Sequence, residues 1–333
     1  MIFAPILVLV YNRPNHFISC IESLKINHNA QNTVLYIASD GPKDEGSKIL
    51  VDQVRDYIKT IHGFKEVIVF APKLNTAKKI FIDTLDIIRE TYDRYIITED
   101  DNLYSKHFIN FINDGLAKFE GNPNVHAICG HNYLGFPAED SKVIALKCFS
   151  PWGYGVWRDR DIHYQTEQIE LIEDVFKSKE LFKKLNYGIP HIIPMLRSII
   201  KKELYAGDVP QCVLLFKTNA VCIFPSYSLV RNIGHDGSGE HCGINKAYNN
   251  QPIFDKKIDF NNLKNIKPDA LHNIWLHKNF GGKYRELANW FIYYELNTQS
   301  LILKKLNQIS YKSYHLPRRI AGYLYRRISN IIR

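Results

Sequence analysis

The chain has 333 residues, 45% of them hydrophobic, 23% charged and 13% aromatic, a globular composition with a large core to bury. That excludes a disordered chain, a collagen and a disulfide-stapled miniprotein. The 43 Lys and Arg against 34 Asp and Glu give a formal net charge of +9, and composition alone does not say whether nucleic acid, a membrane or neither is the cause. The six cysteines, at 20, 129, 148, 212, 222 and 242, include no C-x-x-C pair. Reduced, buried thiols are therefore expected in place of a zinc site or a disulfide framework.

Met1 to Tyr11 is apolar, without a basic start or a small-residue cleavage site. It is too short to span a bilayer and reads as a first buried strand, and the chain as cytoplasmic. Pro5 to Val10 is a continuous apolar run closed by Tyr11-Asn12-Arg13-Pro14, as in a parallel strand covered on both faces. A helix follows with Phe17, Cys20, Ile21 and Leu24 on one side. Thr33 to Ala38 is the second strand, stopped by Ser39-Asp40-Gly41-Pro42. Ile49 to Ile61 reads as helix, Glu66 to Phe70 as strand and Ala77 to Arg89 as helix. Arg94 to Thr98 is a fourth strand, ending in Glu99-Asp100-Asp101. This alternation predicts an α/β fold with a mostly parallel mixed sheet flanked by helices. Ligands in such sheets gather beyond the carboxyl ends of the strands, where Asn12-Arg13, Asp40 and the acidic triplet all fall.

Beyond residue 125 the pattern loosens. Val125 to Cys129 and Val143 to Phe149 read as strands, and Ser150-Pro-Trp-Gly-Tyr-Gly-Val-Trp157 as a glycine-rich aromatic loop. Residues 166–205 are largely helical with a break near Gly188 to Pro190, and Val209 to Lys217 is a helix behind Asp208. A strand over Ala220 to Phe224 precedes a polar loop, Arg231 to Gly243, with four glycines. Neither repeats nor a low-complexity linker interrupt the chain. The expected organisation is one catalytic domain over 1–295, with a nucleotide-binding half (1–124) and an acceptor half (125–295), and a basic helical tail over 296–333.

Three adjacent acids after an apolar strand repel one another unless a cation or solvent relieves them. Such oxygen ligands suit Mg2+ or Mn2+, although a solvated acidic turn ahead of the helix starting near Ser105 explains them equally well. Asp40-Gly41-Pro42 is ordinary turn chemistry or a carboxylate gripping a base or ribose. Arg13 is a surface arginine or a phosphate or base partner. Trp152, Gly153, Tyr154, Gly155 and Trp157 form either core aromatics around a turn or a sugar platform. His235 or His241 offers a nitrogen ligand or is merely exposed. Asp208 is an N-cap or a general base.

In this order, the motifs resemble the nucleotide-sugar glycosyltransferases of the A-type fold. The likeness is to bacterial surface-polysaccharide transferases and, more distantly, to N-acetylglucosaminyltransferase I, over residues 5–243. It is carried by Val10-Tyr-Asn-Arg-Pro14, Asp40-Gly41, Glu99-Asp-Asp101, Ser150 through Asp159, the Asp208 segment, and Pro225 through Asn232-Ile-Gly234 to His241. The resemblance implies that Asn12, Arg13, Asp40, Glu99 and Asp100 contact the nucleotide, and that Trp152, Gly153 and Trp157 line the sugar pocket. It implies Asp101 and His241 as ligands of Mn2+ or Mg2+ and Asp208 as the catalytic carboxylate. Gly207 stands where relatives often carry Trp, and Pro210 follows closely, which leaves Asp236 and Glu240 as other choices of base. The implied enzyme is an inverting hexosyl- or N-acetylhexosaminyltransferase. It would move a sugar from a nucleotide diphosphate, UDP favoured, to a glycan or lipid-linked acceptor in capsule, O-antigen or lipopolysaccharide synthesis.

Two other classes compete: a non-catalytic nucleotide-sugar or glycan-binding protein, and a sugar nucleotidyltransferase. The latter lacks its usual glycine-rich phosphate loop, since Val10 to Pro14 holds no glycine. No nucleic-acid-binding motif is present. The basic surplus lies in the tail: eight Lys and Arg and no acid follow Glu295, leaving residues 1–295 at +1. On a helical wheel Leu316, Ile320, Leu324, Ile328 and Ile331 share a side, with Arg318, Arg319, Arg326 and Arg333 largely opposite. Such a helix either lies on an anionic membrane, at the inner face of the plasma membrane, or packs on the body with a solvated basic face.

Overall fold

The computed structural model describes residues 2–331 except 78, 134, 137–141, 163, 164, 205, 240–242, 262, 264, 265 and 281, with the backbone alone at 165, 166 and 318–331. The chain divides into two compact units, residues 1–164 with 218–272 and residues 165–217 with 273–333. The first unit opens with β1 (Ile6–Val10), α1 (Pro14–Lys25), β2 (Val34–Ser39), α2 (Glu45–Ile58), β3 (Glu66–Phe70), α3 (Lys79–Thr91) and β4 (Arg94–Glu99). It continues through β5 (Asn102–Tyr104), α4 (Phe108–Phe119), β6 (Val125–Cys129), β7 (Val143–Leu146) and β8 (Tyr154–Trp157). The second unit then begins with α5 (Gln165–Lys177), α6 (Lys179–Gly188), α7 (Ile192–Ile200) and α8 (Asp208–Thr218). The chain returns to the first unit for β9 (Val221–Pro225), β10 (Val230–Asn232) and a short α9 (Lys246–Asn249). It ends in α10 (Ala270–Asn279), α11 (Gly282–Asn297) and α12 (Leu301–Ile331).

The fold is α/β, as the strand–helix alternation predicts. Eight strands form one sheet in the order β3-β2-β1-β4-β8-β6-β9-β7. Neighbours β3, β2, β1 and β4 are parallel, β8 is antiparallel to β4 and β6, β9 is parallel to β6, and β7 is antiparallel to β9. Most strands thus end at the same edge. The central β1 and β2 are buried almost throughout, whereas the edge strand β3 is partly exposed. Helix α1 buries Phe17, Cys20, Ile21 and Leu24, the apolar stripe expected of it.

Local chemistry explains where the sequence expectations shift. Helix α2 begins at Glu45, four residues before its first apolar position, because the Asp44 side chain accepts from the Ser47 amide at 2.7 Å and closes a capping box. The aromatic glycine-rich segment is not all loop: residues 154–157 are strand β8. A Cβ on Gly155 would lie 2.3 Å from Ile112 Cγ2, so this glycine is what lets α4 lie against the sheet. Asn102–Tyr104 and Val230–Asn232, neither expected as a strand, pair antiparallel in a two-stranded ribbon.

The second unit is helical, with a break between α6 and α7 where Gly188 and Pro190 predict one. Its core gathers the Phe182, Trp290 and Tyr293 rings, Phe182 lying 4.9 Å from Trp290 and 4.6 Å from Tyr293. Buried Glu295 on α11 accepts from Arg197 Nε at 2.9 Å, from Lys201 Nζ, and from Gln308 Nε2 at 2.8 Å. Those contacts tie α7 and α12 to α11. Among the described residues no helix is long and apolar enough to cross a membrane. The five described cysteines, at 20, 129, 148, 212 and 222, are buried.

Candidate active site

The carboxyl end of β1 runs into Arg13, the residue before α1, and that of its neighbour β4 into Asp100 and Asp101. Parallel pairing of β1 with β4 therefore sets one guanidinium opposite two consecutive carboxylates. Arg13 Nη2 bonds Asp100 Oδ1, and Arg13 Nη1 lies 2.9 Å from Asp101 Oδ2. Both acids are buried. Burial disfavours the guanidinium charge, but the facing carboxylates outweigh it and hold the Arg13 pKa above its ordinary value. Burial likewise pushes the Asp100 carboxyl up to about 6, with Arg13 opposing the rise and Asp101 adding to it.

The β5–β10 ribbon closes the other side of the acid pair. It brings Asn232 against Asn102, and Asn232 Nδ2 donates to Asp101 Oδ1 at 2.7 Å and to Asn102 Oδ1 at 3.1 Å. Asn232 Oδ1 in turn accepts from the Gly234 amide at 2.9 Å. The backbone at Gly234 comes so near that a Cβ there would sit 2.1 Å from Asp101 Oδ2 and 3.2 Å from Arg13 Nη1. Just beyond, His16 of α1 meets Asp236 Oδ2 at 3.1 Å. Asp236 also accepts from the Ser238 hydroxyl and amide, which hold its pKa below the usual range.

Next along the loop is an aromatic group. The Trp152 ring lies 4.4 Å from His131, 5.3 Å from His235 and 5.6 Å from Tyr248, and His235 stacks on Tyr248 at 5.0 Å. His131 is fully buried, which pushes its pKa down to about 3. Its Nε2 lies 3.3 Å from Gln251 Oε1, an oxygen that can only accept, so Nε2 carries the proton and Nδ1 accepts from Ser150 Oγ at 3.0 Å.

One strand over, Asp40 is buried at the end of β2. Its Oδ1 accepts from the Gly41 amide at 2.8 Å and from Thr76 N and Oγ1 at 2.8 and 2.9 Å. It thus pins residues 75–77 across the sheet edge. Glu99, the last residue of β4, is half-buried, as is Asn12. Trp152 and Gly153 precede β8 and reach the edge where β4 ends, because β8 runs antiparallel with Tyr154 opposite Ile97. The same geometry carries Trp157 away. It pairs with Arg94 at the start of β4 and lies under the Arg160 guanidinium, 3.7 Å from the ring centroid. Asp208 is the first residue of α8 in the second unit, and His241 lies outside the described residues.

Sequence reasoning passed over Asn232, Gly234 and His131. His131 follows the carboxyl end of β6 as Asp40 follows that of β2, so the strand-end rule could have found it. Asn232 and Gly234 lie within a matched segment, but nothing local marks them as partners of Asp101.

The acid pair offers the oxygen donors a hard divalent cation takes. Among the described residues no group of three or more His, Cys, Asp or Glu converges on a metal position. Among the described residues, Asp100 and Asp101 are two carboxylates of the kind that Mg2+ or Mn2+ commonly uses with substrate phosphates. The donors fit on the condition that Arg13 gives up Asp101 Oδ2.

No family model matches the chain, and no curated protein is similar to it. Solved structures do show similarity. One of S. aureus TarS is 14% identical with a TM-score of 0.32, over 49% of this chain and 31% of that one. A second, of TarS residues 1–349, is 12% identical with a TM-score of 0.36, over 70% of this chain and 61% of that one. The mannosyltransferase PcManGT from Pyrobaculum calidifontis, solved with GDP-Man and Mn2+, is 12% identical with a TM-score of 0.36, over 65% of this chain and 69% of that one. The chain thus spans less than two thirds of either TarS structure.

Proposed function

We propose that this protein is an inverting glycosyltransferase of the A type, taking a sugar from a nucleotide diphosphate to a hydroxyl of a glycan or lipid-linked acceptor in surface-polysaccharide synthesis. The observation that supports the reading is the buried Arg13–Asp100–Asp101–Asn232 cluster, gathered at the carboxyl edge from β1, β4 and the β5–β10 ribbon. Building such a cluster costs stability, because each carboxylate is desolvated. A structural turn does not require it; a site for a charged donor does.

In this reading Arg13 releases Asp101 and turns to a donor phosphate oxygen, a bidentate partner of the kind arginine prefers. Asp101 holds a divalent ion, with Asp100 beside it and His241 as the second ligand that the motif order implies. When bound, the ion supplies Lewis-acid neutralisation of charge on the departing diphosphate. Asn232 fixes the rotamer of Asp101 through the 2.7 Å bond to Oδ1. Trp152 and Gly153 border the sugar, and Asp40 and Asn12 the nucleoside. Asp208 takes the proton of the acceptor hydroxyl as its oxygen bonds the anomeric carbon and the bond to diphosphate breaks, inverting the configuration. Ser238 and His16 engage the carboxylate of Asp236, the alternative base.

The test is a panel of nucleotide sugars with and without Mn2+ or Mg2+, read as release of nucleoside diphosphate and as thermal stabilisation. One donor should do both in a metal-dependent way. Asp101→Asn should abolish the metal dependence, and Asp208→Asn should lower transfer by about a hundredfold or more while sparing donor binding. Stabilisation without turnover on any acceptor or water would make the protein a binder; near-normal turnover in Asp208→Asn would move the base to Glu240 or Asp236.

A further inference from the structure

Over residues 301–317, helix α12 is turned inside out relative to an ordinary surface helix. The side packed on α11 is aromatic and polar: Tyr314 lies 4.6 Å from the Tyr284 ring, whose hydroxyl donates to the Tyr314 carbonyl, and Gln308 reaches Glu295. On the opposite side stand Ile302, Leu306, Ile309 and Leu316, spaced by four, three and seven residues so that they form one row. They are 73%, 53%, 58% and 53% exposed. A globular helix puts such a row in the core and its polar face in water. Beside the row run exposed Lys305 and Lys312, and the sequence repeats their seven-residue spacing with Arg319 and Arg326.

We infer that this outward face lies in the surface of an anionic lipid bilayer, with the aliphatic row at the headgroup–acyl boundary and the basic row on lipid phosphates. Charge complementarity selects the occupant, because no acid follows Glu295 and the whole flank is cationic. A second copy would set the same cationic row against itself. Among the described residues no helix is long and apolar enough to cross the bilayer. The inference stands apart from the catalytic reading, since none of these residues belongs to the site.

Full-length protein is sedimented with vesicles of phosphatidylcholine alone and of phosphatidylcholine mixed with phosphatidylglycerol. Binding is expected to the mixed vesicles and to weaken as salt rises. It should fall about tenfold or more in Leu306→Glu/Ile309→Glu, which removes the apolar row. It should fall comparably in Lys305→Glu/Lys312→Glu, which reverses the flank. Unchanged circular dichroism and melting temperature in both variants show that the fold is retained, as expected for exposed positions. Absent binding to anionic vesicles, or equal binding to both vesicle types that neither variant changes, overturns the inference. So does a concentration-dependent dimer that Leu306→Glu/Ile309→Glu dissociates, which assigns the face to a second copy.

Discussion

Gly234 leaves no room for a methyl group beside Asp101. In Gly234→Ala, either the loop or the Arg13–Asp101 pair must move, and we expect a loss of about 1–3 kcal/mol by urea denaturation together with weakened donor binding by calorimetry. An alanine variant as stable and as tight-binding as the parent would show that the acid pair does not depend on this approach. His131 makes a separate claim. It is neutral when folded and accepts a proton below about 6.5 when unfolded. Its share of stability is therefore complete above that pH and is lost as pH falls toward the folded value of about 3. The slope is up to about 1.4 kcal/mol per pH unit. His131→Gln, which keeps an amide for both partners, should flatten that acid limb; an unaltered limb would place the acid sensitivity elsewhere. Arg13 and Asp101 were legible as candidates because both follow the carboxyl ends of strands. The contact of Asp101 with Asn232 was not, because it spans 131 residues and depends on a three-residue ribbon. Trp157 shows the reverse limit, since composition grouped it with Trp152 and strand direction separates them.

At the level of elements, Glu295 binds three helices of the second unit at one carboxylate. Burial alone would raise its pKa, but Arg197, Lys201 and Gln308 hold it below the usual value. The sign follows: this stabilisation is present above the ordinary glutamate pKa and disappears as pH falls through the lower folded one. Glu295→Gln should cost about 1–3 kcal/mol near pH 7, with Arg197 and Lys201 partly relieved by solvent. The gap to the parent should narrow in denaturation curves as pH falls below the ordinary glutamate range. A constant gap would mean that shape, not charge, is what Glu295 contributes. Strands β1 to β4 were readable from the sequence because each is a short apolar run bounded by turn residues. Strand β8 was not, since Gly155 serves helix packing and imitates a loop. The start of α2 was missed because its signal is a polar cap and not an apolar period.

Across the whole molecule, the cationic surplus and the acid pair are separate devices, the first at the end of the second unit and the second in the first. Charge bookkeeping along the chain was enough to locate the surplus, but which side of α12 faces outward needed packing on α11 to decide. The same division of the chain has a consequence for biosynthesis. In the sheet β9 lies between β6 and β7, yet the ribosome makes the helices of residues 165–217 before it makes β9. Until residue 225 emerges, β6 and β7 each wait with an unpaired edge, a template for pairing with other nascent chains. The helices made in that interval lack α11, the support they pack on when complete. Neither unit is a single stretch of polypeptide, and the first is finished only at residue 272, after the helices of residues 165–217 have been made.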